Sequence, residues 1–273
     1  ALGQLQLEGA SSSADLVVGV DQALLGSAQK SGKFLPWEKA LTQELDPELL
    51  VDSSLEWLPF DYGYLALVYD DRRKDPPPSG MTLKEFSLNS KYRKRLVLED
   101  PSTSSLGRSL LVWTQILYPP KEWEEFWKAM SQQTLTVAPG WTASYGAFLN
   151  GEADFVFSYT TSPAYHIEKE NNSHIRALIF PEGNYRQVEM VGRTKASKHA
   201  ICGERWVKRL LSATGQSEVP LRQWMYPAHR TVALPKSFQG LAKPKKVLSD
   251  LKKASELGRA EVKAWTRLWL GGK

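Results

Sequence analysis

The chain has 273 residues, of which 42% are hydrophobic and 24% are charged, and its formal net charge at pH 7 is +5. This length and composition are those of a folded globular protein with one large or two smaller α/β lobes. The basic residues are spread along the chain and often follow acidic ones, which argues against nucleic-acid binding because such binding needs a concentrated basic surface.

The first predicted strand is the unbroken apolar run "ADLVVGVD" at residues 14–21. Such a run is typical of a parallel strand that is covered on both faces. A helix is predicted near 24–31, ending at Gly32. Residues 57–70, "WLPFDYGYLALVYD", are predicted to be extended. The three prolines that follow in "DRRKDPPPSG" indicate that the first lobe ends near Asp70.

After Asp70 the predicted strands and helices alternate along the chain, which predicts a mainly parallel sheet with covering helices. In "KEWEEFWKAM" the apolar residues fall at i, i+3, i+4 and i+7, so this helix should face the core. The predicted lobes are residues 1–70 with 185–273, and residues 71–184. The other predicted elements in chain order are a helix from Thr82, strand 95–100, helix 110–118, strand 134–138, a helix ending near Gly151, strand 154–159, strand 186–194, helix 203–213 and a last amphipathic helix around Val262 and Trp265.

Two turns, "EDPSTSSLG" and "SYTTSPAYH", place serine and threonine residues between an apolar strand and a helix. Ser162 followed by Pro163 is predicted to be an N-cap with proline at the first helical position. Helix N-terminal N–H groups and hydroxyls favour a phosphate or another anionic or hydroxylated group. The alternative is that the residues only cap helices. The candidate polar ligand residues are Ser104, Ser105, Thr160, Thr161 and Ser162.

Several aromatic residues accompany these turns without helical spacing, and one acid lies among such residues in "PFDYGY". Rings at strand ends stack on flat heterocycles or surround a cation. For Trp224, the alternative is an aromatic plug between lobes. Asp61 either balances a cationic ligand or ends its strand. The candidate residues of this kind are Asp61, Trp141, Tyr159, Tyr165, Trp224 and Tyr226.

The sequence contains few features of a catalytic site. The four histidines have no metal-ligand spacing, and no serine lies in GxSxG. The single cysteine, Cys202, excludes an internal disulfide and a CxxC metal site. Because it opens an amphipathic helix beside Gly203, it is predicted to be a small buried residue and not a nucleophile.

The motifs "ADLVVGVD", "PFDYGYLALVYD", "EDPSTSSLG", "PGWTASYGAFLNGEADFVFSYTTSPAYH", "YRQVEMVGRTKAS" and "WMYP" together resemble the thiamine-binding substrate-binding proteins of bacterial ABC importers. The resemblance implies an α/β, two-lobe type 2 periplasmic-binding-protein fold whose hinge is two crossings. It implies a monomeric periplasmic receptor that needs no cofactor and no metal. The implied ligands are thiamine, thiamine monophosphate and thiamine diphosphate, held in an interlobe cleft and delivered to an inner-membrane ABC permease.

The resemblance also assigns residue roles by position. It implies that Ser104 and Ser105 hold the phosphate or hydroxyethyl end, that Trp141 stacks on a ring, and that 159–162 form a second ligand-binding turn. Tyr165, Trp224 and Tyr226 match aromatic residues near the cleft. Family members begin with a strand, a helix and a second strand before the position of Ala1, and this first unit is expected to be missing here.

The opening residues do not form a signal peptide, and no apolar run reaches the length of a membrane span. The chain is therefore expected to be mature, truncated or never exported, and a periplasmic location is implied by the resemblance alone. Two other functions stay open. A thiamine-modifying enzyme of the same fold needs a cysteine nucleophile in the cleft. A ferric-ion or other small-solute receptor is disfavoured, since Tyr159 and Tyr165 are not adjacent and lack evident acidic or histidine partners.

Overall fold

The computed structural model describes residues 2–8 and 12–270. The chain forms two compact units, and unit 1 comprises Ala1–Gly63 with Gln187–Gln239, whereas unit 2 comprises Tyr64–Arg186 with Gly240–Lys273. The chain passes from one unit to the other within two long strands, β3 (Trp57–Asp70) and β8 (Asn184–Thr194), and again after Gln239.

The last segment of the chain departs from the predicted lobes. The sequence pattern placed 240–273 in the first lobe, whereas these residues belong to unit 2. The reason is helix packing, because α11 (Leu251–Glu256) contacts α4 (Ser105–Leu117) and α12 (Arg259–Leu270) contacts α5 (Pro120–Gln133). An amphipathic pattern predicts that a helix has a buried face but does not predict which neighbour covers it.

Unit 1 is built on antiparallel pairing. β1 (Leu16–Val20) and β2 (Phe34–Leu35) pair with β8, and β9 (Tyr226–Pro227) pairs with the first half of β3. The prediction of a parallel first strand covered on both faces is therefore wrong. A bulge with Gly19 at φ +85° shifts the register, and Val18 is exposed. The helices of unit 1 are α1 (Leu2–Glu8), α2 (Gln22–Lys30), α8 (Ala200–Leu211), α9 (Ala213–Gln216) and α10 (Val219–Arg222).

Unit 2 has a mixed sheet. β4 (Leu96–Glu99) is parallel to β5 (Thr134–Ala138) and β6 (Phe155–Tyr159), while the second half of β3 is antiparallel to β6 and to β7 (Ile175–Leu178). Helices connect β4, β5 and β6, and such crossover connections leave successive strands parallel. Among β3 to β7, only β3, which lies between β6 and β7, runs in the opposite direction. The prediction of a mainly parallel sheet is correct for β4–β6 and wrong at β3. The other elements of unit 2 are α3 (Leu83–Leu88), α6 (Trp141–Leu149), α7 (Ser162–Glu170) and β10 (Val247–Leu248), which is parallel to the start of β8.

One threonine organises the packing of α4 against α5. The Oγ1 atom of Thr114 accepts hydrogen bonds from the indole Nε1 of Trp123 at 2.9 Å and of Trp127 at 3.2 Å, and it donates to the carbonyl of Leu111 at 3.0 Å. All of these groups are buried. The predicted core face of α5 is thus confirmed, and it contains polar atoms that a single acceptor satisfies.

Candidate functional site

The first hydroxyl turn of unit 2 lies between β4 and α4. Ser104 is the N-cap of α4, and its Oγ accepts the N–H of Gly107 at 3.2 Å. A Cβ atom at Gly107 would lie 2.7 Å from the carbonyl oxygen of Glu99, so a glycine allows the helix to start this close to its strand. The Ser104 hydroxyl donates to the Glu99 carboxyl. Its one donor is therefore used within the protein, whereas Ser105 is half-buried in the first turn of α4.

A buried acid, Glu99, ends β4 behind this turn. Its carboxyl accepts hydrogen bonds from Ser104 of the first turn and from Ser144 of α6, the latter at 2.9 Å. Burial raises the pKa of Glu99 to about 7, although both serine hydroxyls favour the ionised form. One carboxyl thus joins the beginnings of two helices.

Trp141 opens α6 directly after Pro139 and Gly140, as the sequence predicts. Its indole N–H donates to Ser158 Oγ at 2.8 Å, and its ring stacks on Tyr145 with centroids 4.8 Å apart and planes 18° apart. Even so, 43% of the side chain is exposed. The indole is held in one orientation while a large part of its surface stays available for a ligand.

The second hydroxyl turn differs by one residue from the prediction. Ser162 is the first residue of α7 and Thr161 takes the cap position, so the prediction that Ser162 is the N-cap is wrong. Ser162 Oγ turns back to accept the N–H of Tyr159 at 3.2 Å and contacts Ser158 Oγ at 2.8 Å. Thr160 and Thr161 are buried, and among the described residues their hydroxyls have no hydrogen-bond partner. Tyr159 is half-buried at the end of β6.

A second layer of polar groups lies behind Trp141. The Tyr145 hydroxyl is 2.9 Å from Nε2 of His166, and Nδ1 of His166 is 2.7 Å from the Glu170 carboxylate. If Nδ1 carries the proton that Glu170 accepts, Nε2 accepts from Tyr145. His166 is fully buried, while its neighbour Tyr165 is 38% exposed and meets the His166 ring edge-on.

The two predicted hydroxyl turns therefore belong to one hydrogen-bonded set in unit 2. It runs from Ser104 through Glu99 to Ser144 at the start of α6, and from Trp141 through Ser158 to Ser162. Sequence reasoning identified the turns and the tryptophan but missed the groups that connect them. The missed residues are Glu99, Ser144, Tyr145, Ser158 and His166, and only the position of Glu99 at a strand end before the first turn offered a signal.

Three predicted site residues lie in unit 1. The sequence "WMYP" predicts a loop that ends at Pro227. This prediction is wrong for Tyr226, which lies in β9, where it pairs with Tyr62 of β3 and stacks on it at 5.3 Å. A tyrosine in extended backbone beside a long strand gains cross-strand packing that a loop cannot give. Trp224 precedes β9 in a left-handed conformation, with φ +58°, and is half-buried.

Asp61 lies in β3 and is buried. Both of its carboxyl oxygens lack a hydrogen-bond partner among the residues that the structure describes. Burial, and then the nearby Glu189 carboxyl, raise its pKa well above the ordinary range. Burial and Asp21 raise the pKa of Glu189 to about 7. Unit 1 therefore contains acids that would be stabilised by a cation.

The raised pKa of Asp61 predicts a pH-dependent stability. The folded state binds this proton more tightly than the unfolded state, so the contribution of Asp61 to stability is fully present below the ordinary pKa of an unfolded aspartate and is lost as the pH rises from there through the raised pKa of the folded state. We therefore expect the free energy of unfolding of Asp61→Asn, relative to that of wild type, to increase by about 1–3 kcal/mol when the pH is raised from 5 to 8. Urea unfolding at both pH values measures the difference.

The control for this prediction is Glu38→Gln, which neutralises an exposed carboxylate of the same unit. It should leave the pH dependence unchanged. Parallel stability curves for wild type and Asp61→Asn would show that Asp61 is ionised without penalty.

Cys202 is exposed, so the prediction that it is buried is wrong. The inward positions of α8 are Gly203, Val207 and Leu211, one step out of phase with the cysteine. Within 2–8 and 12–270, no group of three or more His, Cys, Asp or Glu side chains is arranged to hold a metal ion. None of the helices in the described part of the chain has the length and apolarity needed to cross a membrane.

Residues 11–249 match the profile of a family described as bacterial extracellular solute-binding protein. The match covers most of the chain, and the chain belongs to that family. The chain is 39% identical over 270 residues to the thiamine-binding periplasmic protein of Escherichia coli K12. This alignment covers 98% of this chain and 78% of that protein. The thiamine-binding periplasmic protein of Haemophilus influenzae is 35% identical over 273 residues, with 98% and 78% covered.

Solved structures agree with the sequence relatives. A periplasmic thiamin binding protein matches with a TM-score of 0.90 at 38% identity and covers 98% of this chain and 82% of its own. A ferric binding protein from Campylobacter jejuni reaches a TM-score of 0.81 at 16% identity, with 99% and 87% covered, which shows a shared fold alone. The resemblance inferred from the sequence motifs is thereby confirmed.

Proposed function

We propose that this chain is a receptor that captures thiamine and its phosphate esters and delivers them to an ABC importer. One observation carries the proposal, namely the similarity of nearly the whole chain to thiamine-binding periplasmic proteins. The chemistry of unit 2 supports it, since an exposed, oriented indole lies beside two hydroxyl turns. Aromatic faces suit the ligand's rings, and helix N-termini suit a hydroxyl or phosphate.

The structure suggests how these roles are divided. Trp141 stacks on a ring of the ligand. The Ser105 hydroxyl and the first N–H groups of α4 bind the hydroxyl or phosphate end, because the Ser104 hydroxyl is already committed to Glu99 and Gly107. The buried hydroxyls of Thr160 and Thr161 are further donors. The remaining proposed contacts are Tyr159, Ser162 and Tyr165 in unit 2, and Asp61, Trp224 and Tyr226 in unit 1, where Asp61 offsets the positive charge of the thiazolium ring.

The proposed receptor is a periplasmic monomer that passes its ligand to an inner-membrane permease. It releases the ligand unchanged and is therefore not an enzyme. It needs no cofactor. The names of the relatives support this role, because they are called periplasmic and binding proteins.

Calorimetric titration of the chain with thiamine, thiamine monophosphate and thiamine diphosphate tests the proposal. We expect saturable one-site binding of at least one of the three, and mass spectrometry should recover that ligand unchanged. Ferric citrate is the control, because a ferric receptor would bind it and develop colour. Absence of binding of all three thiamine compounds would reject the proposal, and conversion of the ligand would favour an enzyme.

A further inference from the structure

A buried acid lies where the proposed function requires an anion-binding site. The N-terminus of α4 carries partial positive charge and unpaired N–H groups, which favour phosphate. Glu99 lies directly behind it, at the end of β4, and is 3% exposed. The protein therefore already supplies one carboxyl to the region in which a phosphorylated ligand would place its own negative charge.

Hydrogen bonds fix Glu99 in this place. The Ser104 hydroxyl accepts a hydrogen bond from Gly107 N–H and so caps α4, and it donates a hydrogen bond to the Glu99 carboxyl. One hydroxyl therefore separates this carboxyl from the helix N-terminus. Ser144 Oγ binds the other carboxyl oxygen at 2.9 Å. A charge held this rigidly in a buried setting acts strongly on a second charge nearby, because the effective dielectric constant is low.

The elements packed against β4 contribute few other ionisable groups. These are Arg108 of α4, Tyr145 of α6 and Tyr159 of β6, while β5 contributes none. Tyrosine and arginine side chains do not change charge near neutral pH. Asp100 follows Glu99 in the chain, and its carboxylate accepts the N–H of Ser102 at 2.7 Å. Among these described elements, Glu99 is thus the group whose charge can respond to pH near 7.

We propose that Glu99 selects the charge of the ligand at this end of the site: ionised Glu99 disfavours a phosphate at the N-terminus of α4, and protonated Glu99 admits it. This inference rests on the proposed function. The pKa of about 7 means that both forms are populated at neutral pH. By linkage, a bound phosphate raises the pKa of Glu99 further, so the preference for thiamine monophosphate over thiamine falls as pH rises.

The test compares wild type with Glu99→Gln, measuring the affinity ratio of thiamine monophosphate to thiamine at pH 6 and pH 8. At pH 6 the two proteins should give similar ratios. At pH 8 the ratio in Glu99→Gln should exceed that of wild type by about fivefold if phosphate raises the pKa of Glu99 by one unit from about 7, and by at most about elevenfold for a larger rise. The phosphate's own titration affects both proteins equally and cancels. Glu125→Gln, an exposed change on α5, should behave as wild type.

A second measurement needs no variant. At pH 8 the phosphate ester is fully ionised, so proton uptake on binding reports a protein group. If phosphate raises the Glu99 pKa by one unit from about 7, wild type should take up about 0.4 proton with thiamine monophosphate and fewer with thiamine. Titrations in two buffers of different ionisation enthalpy give this number.

The outcomes are distinct. Equal ratios for Glu99→Gln and wild type at pH 8, or the absence of excess proton uptake, overturn the role of Glu99 and leave the receptor intact. Failure of wild type to bind thiamine, thiamine monophosphate and thiamine diphosphate overturns the proposed function instead. If Glu99→Gln does not fold, proton uptake by wild type decides.

Discussion

Replacing Thr114 by valine is expected to lower the free energy of unfolding by about 2–6 kcal/mol. Valine has nearly the same shape but no oxygen, so the indole N–H groups of Trp123 and Trp127 lose their shared acceptor in a buried setting. Each buried donor left without a partner costs about 1–3 kcal/mol. Chemical denaturation followed by tryptophan fluorescence measures the loss.

Thr114→Ser is the matched control, since it removes one methyl group and keeps the acceptor. It should cost about 1 kcal/mol. If valine and serine destabilise equally, the two indoles find other acceptors and the threonine acts by packing alone.

Trp141→Ala is expected to weaken thiamine binding by about 1–3 kcal/mol, roughly 5- to 150-fold in Kd, while the fold is retained. The side chain is 43% exposed, so its removal opens little of the core. Thiamine and thiamine monophosphate should lose similar affinity, because the ring interaction does not involve the phosphate. Calorimetric titration with both ligands measures the change.

Trp141→Phe separates stacking from orientation. Phenylalanine keeps an aromatic face but lacks the N–H that donates to Ser158. An intermediate affinity is expected. Wild-type affinity in Trp141→Ala would remove this residue from the proposed site, and wild-type affinity in Trp141→Phe would show that the bond to Ser158 is dispensable.

The strands and helices with a strong local pattern were predictable from the sequence. β3 and β5 begin and end where their apolar runs do, and the heptad-like spacing of Trp123, Phe126 and Trp127 correctly predicted a buried helix face. Strand direction was not predictable, because an apolar run such as 16–20 is equally compatible with parallel and antiparallel neighbours. Direction depends on the partner strand, here β8, which lies far along the chain.

The candidate site likewise contains residues that local sequence signals identify and contacts that only distant parts of the chain create. Ser104 and Trp141 were identifiable because their surroundings, a hydroxyl cluster and Pro-Gly after a strand, are local signals. The pairing of Glu99 with Ser144 joins two residues 45 positions apart, and no local pattern encodes it. Ser104 differs from its predicted role for another reason, because its hydroxyl donates a hydrogen bond to Glu99 at the end of the preceding strand β4 and not to a ligand.

The passage of the chain between its two units also determines when it can fold. β1 pairs with β8 through Leu16 and Arg193, and unit 2 requires α11 and α12 from the last segment. Closing such long loops is entropically costly, and contacts distant in sequence slow folding. Neither unit can be completed during synthesis before most of the chain has emerged. The nascent chain should therefore stay unfolded for long enough to be threaded through a membrane channel, which suits the periplasmic destination proposed for it.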